Sequence, residues 1–141
     1  MDTQQPLSKP KDYTSPLHPK RILLVEDDDA LANVYITRLQ AEGFEVRRVS
    51  NGEDALASAL SFSPNLVLLD VMMPKVSGFD VLDILRNTPE TRNLKIVMLT
   101  ALSQESDKAR AESLGVDEYL VKSQVVIADV VDRIKMHLAE R

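Results

Sequence analysis

The sequence predicts an α/β protein, a three-layer α/β/α sandwich built on a five-stranded parallel sheet. Two observations carry this expectation. From Arg21 onward, five short apolar runs alternate with longer segments of helical pattern, which is the signature of successive β/α units. Unbroken apolar runs suit strands covered on both faces, as in a parallel sheet. A third observation sets the scale. The 141 residues, 44% hydrophobic and 28% charged, make one ordinary globular domain.

The runs are Ile22-Leu23-Leu24-Val25, Phe44 to Val49, Leu66-Val67-Leu68-Leu69, Ile96-Val97-Met98-Leu99 and Tyr119-Leu120-Val121. After the first run, Leu31, Val34, Tyr35 and Leu39 fall on one helical face, and Gly43 stands where a left-handed cap would end that helix. Gly52 to Leu60 is rich in Ala and Leu, and Pro64 closes it. Phe79 to Arg86 offers Leu82 and Leu85 to a core before the Asn87-Thr88-Pro89 turn. The helix expected over Ser103–Ser113 has little apolar content beyond Ala109 and Ala111, which suits either a weakly held element, a candidate moving part, or a surface helix with a narrow Ala stripe. In the last helix, Ile127, Val130, Val131, Ile134 and Leu138 form one buried stripe.

Residues 1–20 differ. Pro6, Pro10, Pro16 and Pro19 interrupt a polar stretch with no apolar period. Such a segment buries too little to offset its ordering entropy and is expected to be a flexible Pro-rich tail, leaving 21–141 as the folded domain. A net charge of −5 argues against non-specific binding to nucleic acid or anionic lipid. The absence of Cys excludes disulfides, thiolate metal sites and Cys nucleophiles. No run approaches the roughly 18 apolar residues of a membrane span, and no apolar signal segment opens the chain. A cytoplasmic location is expected.

The residues after each run carry the chemistry. Glu26-Asp27-Asp28-Asp29 follow the first, Asp70 the third, Thr100 the fourth and Lys122 the fifth. A parallel sheet gathers its strand C-termini at one edge, where ligands bind. The second run ends in Ser50-Asn51-Gly52 and adds nothing obvious, as expected of an edge strand. Asp28 and Asp29 suit the cap of the first helix. Crowded carboxylates raise one another's pKa unless a cation sits among them. Oxygen donors without His or Cys select Mg²⁺, Mn²⁺ or Ca²⁺, and Mg²⁺ keeps positions open for water and phosphate. A carboxylate can attack phosphorus to give an aspartyl phosphate, a reaction that needs charge neutralisation more than acid–base help. Thr100 and Lys122 would supply it opposite the metal.

These residues resemble the response-regulator receiver domains of two-component signalling, from Arg21 to about Leu138. Ile-Leu-Leu-Val-Glu-Asp-Asp (22–28) is similar to that family's acidic motif. Residues 66–82, with Asp70, Pro74 and Gly78, are similar to its phosphoacceptor motif. Leu-Thr-Ala (99–101) and Gly-Val-Asp-Glu-Tyr-Leu-Val-Lys (115–122) complete the set. The resemblance implies a flavodoxin-like strand order, 2-1-3-4-5, and phosphorylation of Asp70 by a histidine kinase or phosphotransfer protein. It implies Mg²⁺ held by Asp27 directly, by Glu26 through water, by Asp70 and by the backbone carbonyl of Met72. Thr100 and Lys122 would bind phosphoryl oxygens, and Tyr119 would turn inward as Thr100 moves. The domain would signal and not turn over substrate, its chemistry limited to accepting a phosphoryl group and losing it slowly.

Three departures add expectations. Ser123 follows Lys122 where the family usually has Pro, so the joint is expected to be trans with a reshaped loop, or strained, since a cis non-proline bond costs roughly 2.5–4 kcal/mol. Met72 and Leu102, both apolar, flank the phosphoryl site and offer nothing to orient water, so slow hydrolysis is expected. The chain ends at Arg141, so a stand-alone receiver is expected, with output through helix 103–113, Tyr119 and the last helix to a protein partner. It would be a monomer or a phosphorylation-dependent homodimer.

Two other readings compete. A phosphohydrolase of the haloacid-dehalogenase type also uses a strand-end Asp and Mg²⁺, and Asp27-Asp28-Asp29 matches its Asp-x-Asp spacing. Leu31, however, stands where its hydroxyl residue belongs, and Met72 replaces the second acid after Asp70. A receiver-shaped module that is never phosphorylated is opposed by the intact set Glu26, Asp27, Asp70, Thr100 and Lys122.

Overall fold

A computed structural model describes residues 18–139. The tail expected over 1–20 lies mostly outside the described residues. The strands are β1 (Arg21–Val25), β2 (Glu45–Val49), β3 (Leu66–Leu69), β4 (Lys95–Thr100) and β5 (Glu118–Val121). The helices are α1 (Asp29–Ala41), α2 (Gly52–Ser61), α3 (Gly78–Arg86), α4 (Glu105–Ser113) and α5 (Ile127–Ala139). All neighbouring strands pair in parallel, in the order β2-β1-β3-β4-β5. The α/β sandwich and the strand order are therefore as expected.

The apolar runs divide by alternate residues between two cores. Leu23, Val25, Val67, Leu69, Ile96 and Met98 pack with residues of α2, α3 and α4. Ile22, Leu24, Leu66, Leu68, Val97 and Leu99 pack with α1 and α5. Period-two alternation sends neighbours to opposite faces, and both faces are covered, which is why the runs are unbroken. β2 is the exception. It starts at Glu45, one residue after the expected Phe44, and none of its residues is fully buried.

Helix ends follow local chemistry. Asp28 caps α1 by accepting from the Leu31 amide at 2.9 Å, whereas Asp29 is the first helical residue and not a cap. Gly43 adopts φ +94°, the left-handed conformation that stops α1. α4 begins at Glu105, two residues later than expected. Its N-cap Gln104 makes no side-chain capping bond, and Ala111 is its one buried residue. The weak hold on α4 is thus as expected.

Register aligns the strand ends. Val25 lies opposite Leu69, Leu69 opposite Met98, and Thr100 opposite Val121. The residues that follow β1, β3 and β5, together with the end of β4, meet at one edge of the sheet.

Candidate functional site

Three carboxylates converge there. Oxygens of Glu26, Asp27 and Asp70 all lie within 4.8 Å of one another. Glu26 and Asp70 are buried and Asp27 is exposed, so the cluster opens toward solvent on one side. Lys122 reaches in from the end of β5, its Nζ 3.0 Å from Glu26 Oε1 and 3.1 Å from Asp70 Oδ2. Burial pushes the Glu26 carboxyl above its ordinary pKa, and the Asp70 charge adds to this against the Asp28 amide and Lys122. Burial works against the Lys122 charge, but hydrogen bonds to Glu26 and Asp70 outweigh it and raise its pKa. Lys122 is therefore a firm cation facing two buried carboxylates.

The backbone around Asp70 is tightly held. Its amide donates to the Val25 carbonyl at 3.1 Å, and the Met72 amide donates back to Asp70 Oδ1 at 3.1 Å. Gly78 opens α3 with its amide on the Val71 carbonyl at 2.9 Å. A Cβ at Gly78 would stand 2.3 Å from the Asp70 carbonyl oxygen, so only glycine lets α3 start this close to the strand end.

Thr100 is fully buried and Tyr119 nearly so. Leu102 ties them together, its amide donating to Thr100 Oγ1 at 3.3 Å and its carbonyl accepting from the Tyr119 hydroxyl at 2.9 Å. Burial, then the Asp107 and Asp70 charges, push the Tyr119 phenol up. The Met72 side chain is 54% exposed. No peptide bond among the described residues is cis, so Lys122–Ser123 is trans, and the chain runs on as a 3-10 turn, Lys122–Gln124.

The sequence reading missed one residue here. Arg48 of β2 donates from Nε and Nη2 to the Glu26 carbonyl at 2.9 and 2.7 Å, and its Nη1 stands 2.9 Å from Asp29 Oδ1. The edge strand therefore does contribute to the site, contrary to expectation. The sequence signal was an Arg–Arg pair interrupting the second apolar run.

The donor set fits a hard divalent cation: oxygens alone, two of them buried, with one exposed side for water or phosphate. A sequence model of the response regulator receiver domain matches residues 22–135. The chain belongs to this family. It is similar to the phosphate regulon transcriptional regulatory protein PhoB of Rhizobium meliloti, with 42% identity over 102 residues, 72% of this chain and 45% of that protein. It is 30% identical to the polar-differentiation response regulator DivK of Brucella anthropi over 86% of this chain and 98% of DivK. The BeF3-activated N-terminal receiver domain of Klebsiella pneumoniae RstA superposes with a TM-score of 0.80 at 26% identity, over 86% of this chain and all of that domain. The chain thus spans under half the length of PhoB and nearly all of DivK. Membership among the receiver domains of two-component response regulators implies phosphoacceptor signalling and a histidine kinase partner. No helix among the described residues is long and apolar enough to cross a membrane.

Proposed function

We propose that Asp70 is the phosphoacceptor. A carboxylate oxygen of Asp70 forms the bond to phosphorus as the bond to the donor's leaving atom breaks, and the leaving group keeps the electron pair. Glu26, Asp27, Asp70 and the Met72 carbonyl would hold Mg²⁺. A divalent ion bound there supplies charge neutralisation among the carboxylates and on the phosphoryl oxygens. Lys122 releases its hold on Asp70 Oδ2 to pair with a phosphoryl oxygen, and the Thr100 hydroxyl bonds another. Leu102 then links any shift of Thr100 to Tyr119, and so to the surface made by α4, β5 and α5, which would meet a downstream protein or a second copy of the chain. On this reading the protein signals from the cytoplasm, accepts its phosphoryl group from a histidine kinase or phosphotransfer protein and binds no nucleic acid through residues 21–141, with 1–20 as a tail.

The observation that carries this reading is Lys122 Nζ lying on Asp70 Oδ2 beside a three-carboxylate cluster. Incubation with acetyl phosphate and Mg²⁺ should add one phosphoryl group by intact mass, absent in Asp70→Asn. No adduct on the wild type would overturn the reading in favour of a passive module, and steady turnover of a simple phosphomonoester would favour a phosphohydrolase.

A further inference from the structure

β2 is an edge strand, half exposed, yet it holds the acidic loop from two directions. The Glu26 amide donates to the Val49 carbonyl at 3.1 Å, and the Glu26 carbonyl accepts two bonds from Arg48. That carbonyl belongs to the peptide joining Glu26 to Asp27, which carry two of the three clustered carboxylates. The same guanidinium reaches Asp29 at the start of α1. One planar group therefore spans the loop between β1 and α1 and fixes the plane of the peptide between the two acids.

We propose that Arg48 is a positioning residue for the divalent-cation site, presetting Glu26 and Asp27 and so setting the affinity for Mg²⁺. This rests on reading the acidic cluster as a cation site. Two effects of Arg48 oppose each other. Its charge repels an incoming cation, while its bonds hold two ligands in place. The charge is partly taken up by Asp29 and partly exposed to solvent, with the Arg48 side chain 21% accessible, and water screens what remains. Groups that orient metal ligands are worth about 10–100-fold in affinity, and the rigid guanidinium fork fixes a geometry that an ammonium does not. Positioning wins, and the sign of the effect becomes the test.

Mg²⁺ affinity of the full chain, measured by isothermal titration calorimetry well below the melting temperature, is expected to fall about tenfold in Arg48→Met. Arg48→Lys should lie between the two, because Lys reaches the carbonyl without fixing its plane. Phosphorylation by acetyl phosphate should drop in Arg48→Met at limiting Mg²⁺ and recover at saturating Mg²⁺, a split that general loosening of the fold would not give. Equal or tighter Mg²⁺ binding by Arg48→Met would overturn the role of Arg48. If that variant does not fold, Arg48→Lys decides, and binding as tight as wild type overturns it. A wild type that binds no Mg²⁺ would instead overturn the cation-site reading beneath it.

Discussion

The hydroxyl of Tyr119 donates to the carbonyl of Leu102 at 2.9 Å, so the aromatic ring of β5 is latched onto the loop that follows β4. Because the Leu102 amide is also bonded to Thr100, the latch ties Tyr119 to the Thr100 hydroxyl through a single residue. Tyr119→Phe removes one neutral hydrogen bond, and a stability loss of about 1 kcal/mol is expected in chemical denaturation. Labelling of Asp70 by acetyl phosphate should persist, since the phenol bonds none of the carboxylates.

Lys122 is the cation that Glu26 and Asp70 share. Lys122→Met leaves two buried carboxylates facing each other. Removing one partner of a fully buried pair costs about 3–5 kcal/mol. Lys122 is itself 25% exposed, so the expected loss is smaller, about 1–3 kcal/mol. Mg²⁺ should narrow the gap to wild type in thermal melts, because a ligand that binds only the folded state stabilises it by mass action. A gap that Mg²⁺ leaves unchanged would count against a cation taking up these carboxylates.

How far the sequence could be read depended on what places each residue. Asp70, Thr100 and Lys122 were legible because a parallel sheet puts every strand end at one edge, whatever the details of packing. Arg48 was not, because its partner is a backbone carbonyl in the loop that follows the neighbouring strand, and carbonyls carry no sequence mark. Arg86 shows the same limit. It read only as the end of a helix, yet it donates to the carbonyls of Gly115 and Leu94 at 2.8 and 2.7 Å and pairs with Asp117. The late start of α4 has another cause, since Ser103 looked like a helix start and no side chain caps the helix where it begins.

Gly78 tests how closely α3 must approach Asp70. The atoms that a Cβ would meet are backbone, the Asp70 carbonyl at 2.3 Å and Val71 Cα at 2.7 Å, and backbone cannot rotate away. Gly78→Ala is expected to cost about 3 kcal/mol, the upper end for overpacking. It should also lower the yield of the Asp70 adduct, because the clash displaces the residue that carries it. Wild-type stability in denaturant titration would show that α3 can slide outward freely.

Leu102 and Met72 set the expected lifetime of the phosphorylated state. Residue 102 is anchored beside Thr100 by its own amide, so on the proposed reading its side chain would lie close to a phosphoryl group on Asp70. An apolar chain there neither orients a water molecule nor accepts its proton. Leu102→Glu places a carboxylate at that position, while the carbonyl latched by Tyr119 is backbone and survives the change. Well-positioned bases accelerate proton transfer by about 10²–10⁴-fold. A Glu on a partly exposed loop is held less firmly, so about tenfold faster loss of the phosphoryl group is expected. Decay of the mass adduct after removal of acetyl phosphate, followed for wild type and variant at the same Mg²⁺ concentration, measures it. Equal rates would mean that water reaches the phosphoryl group by a route that residue 102 does not control.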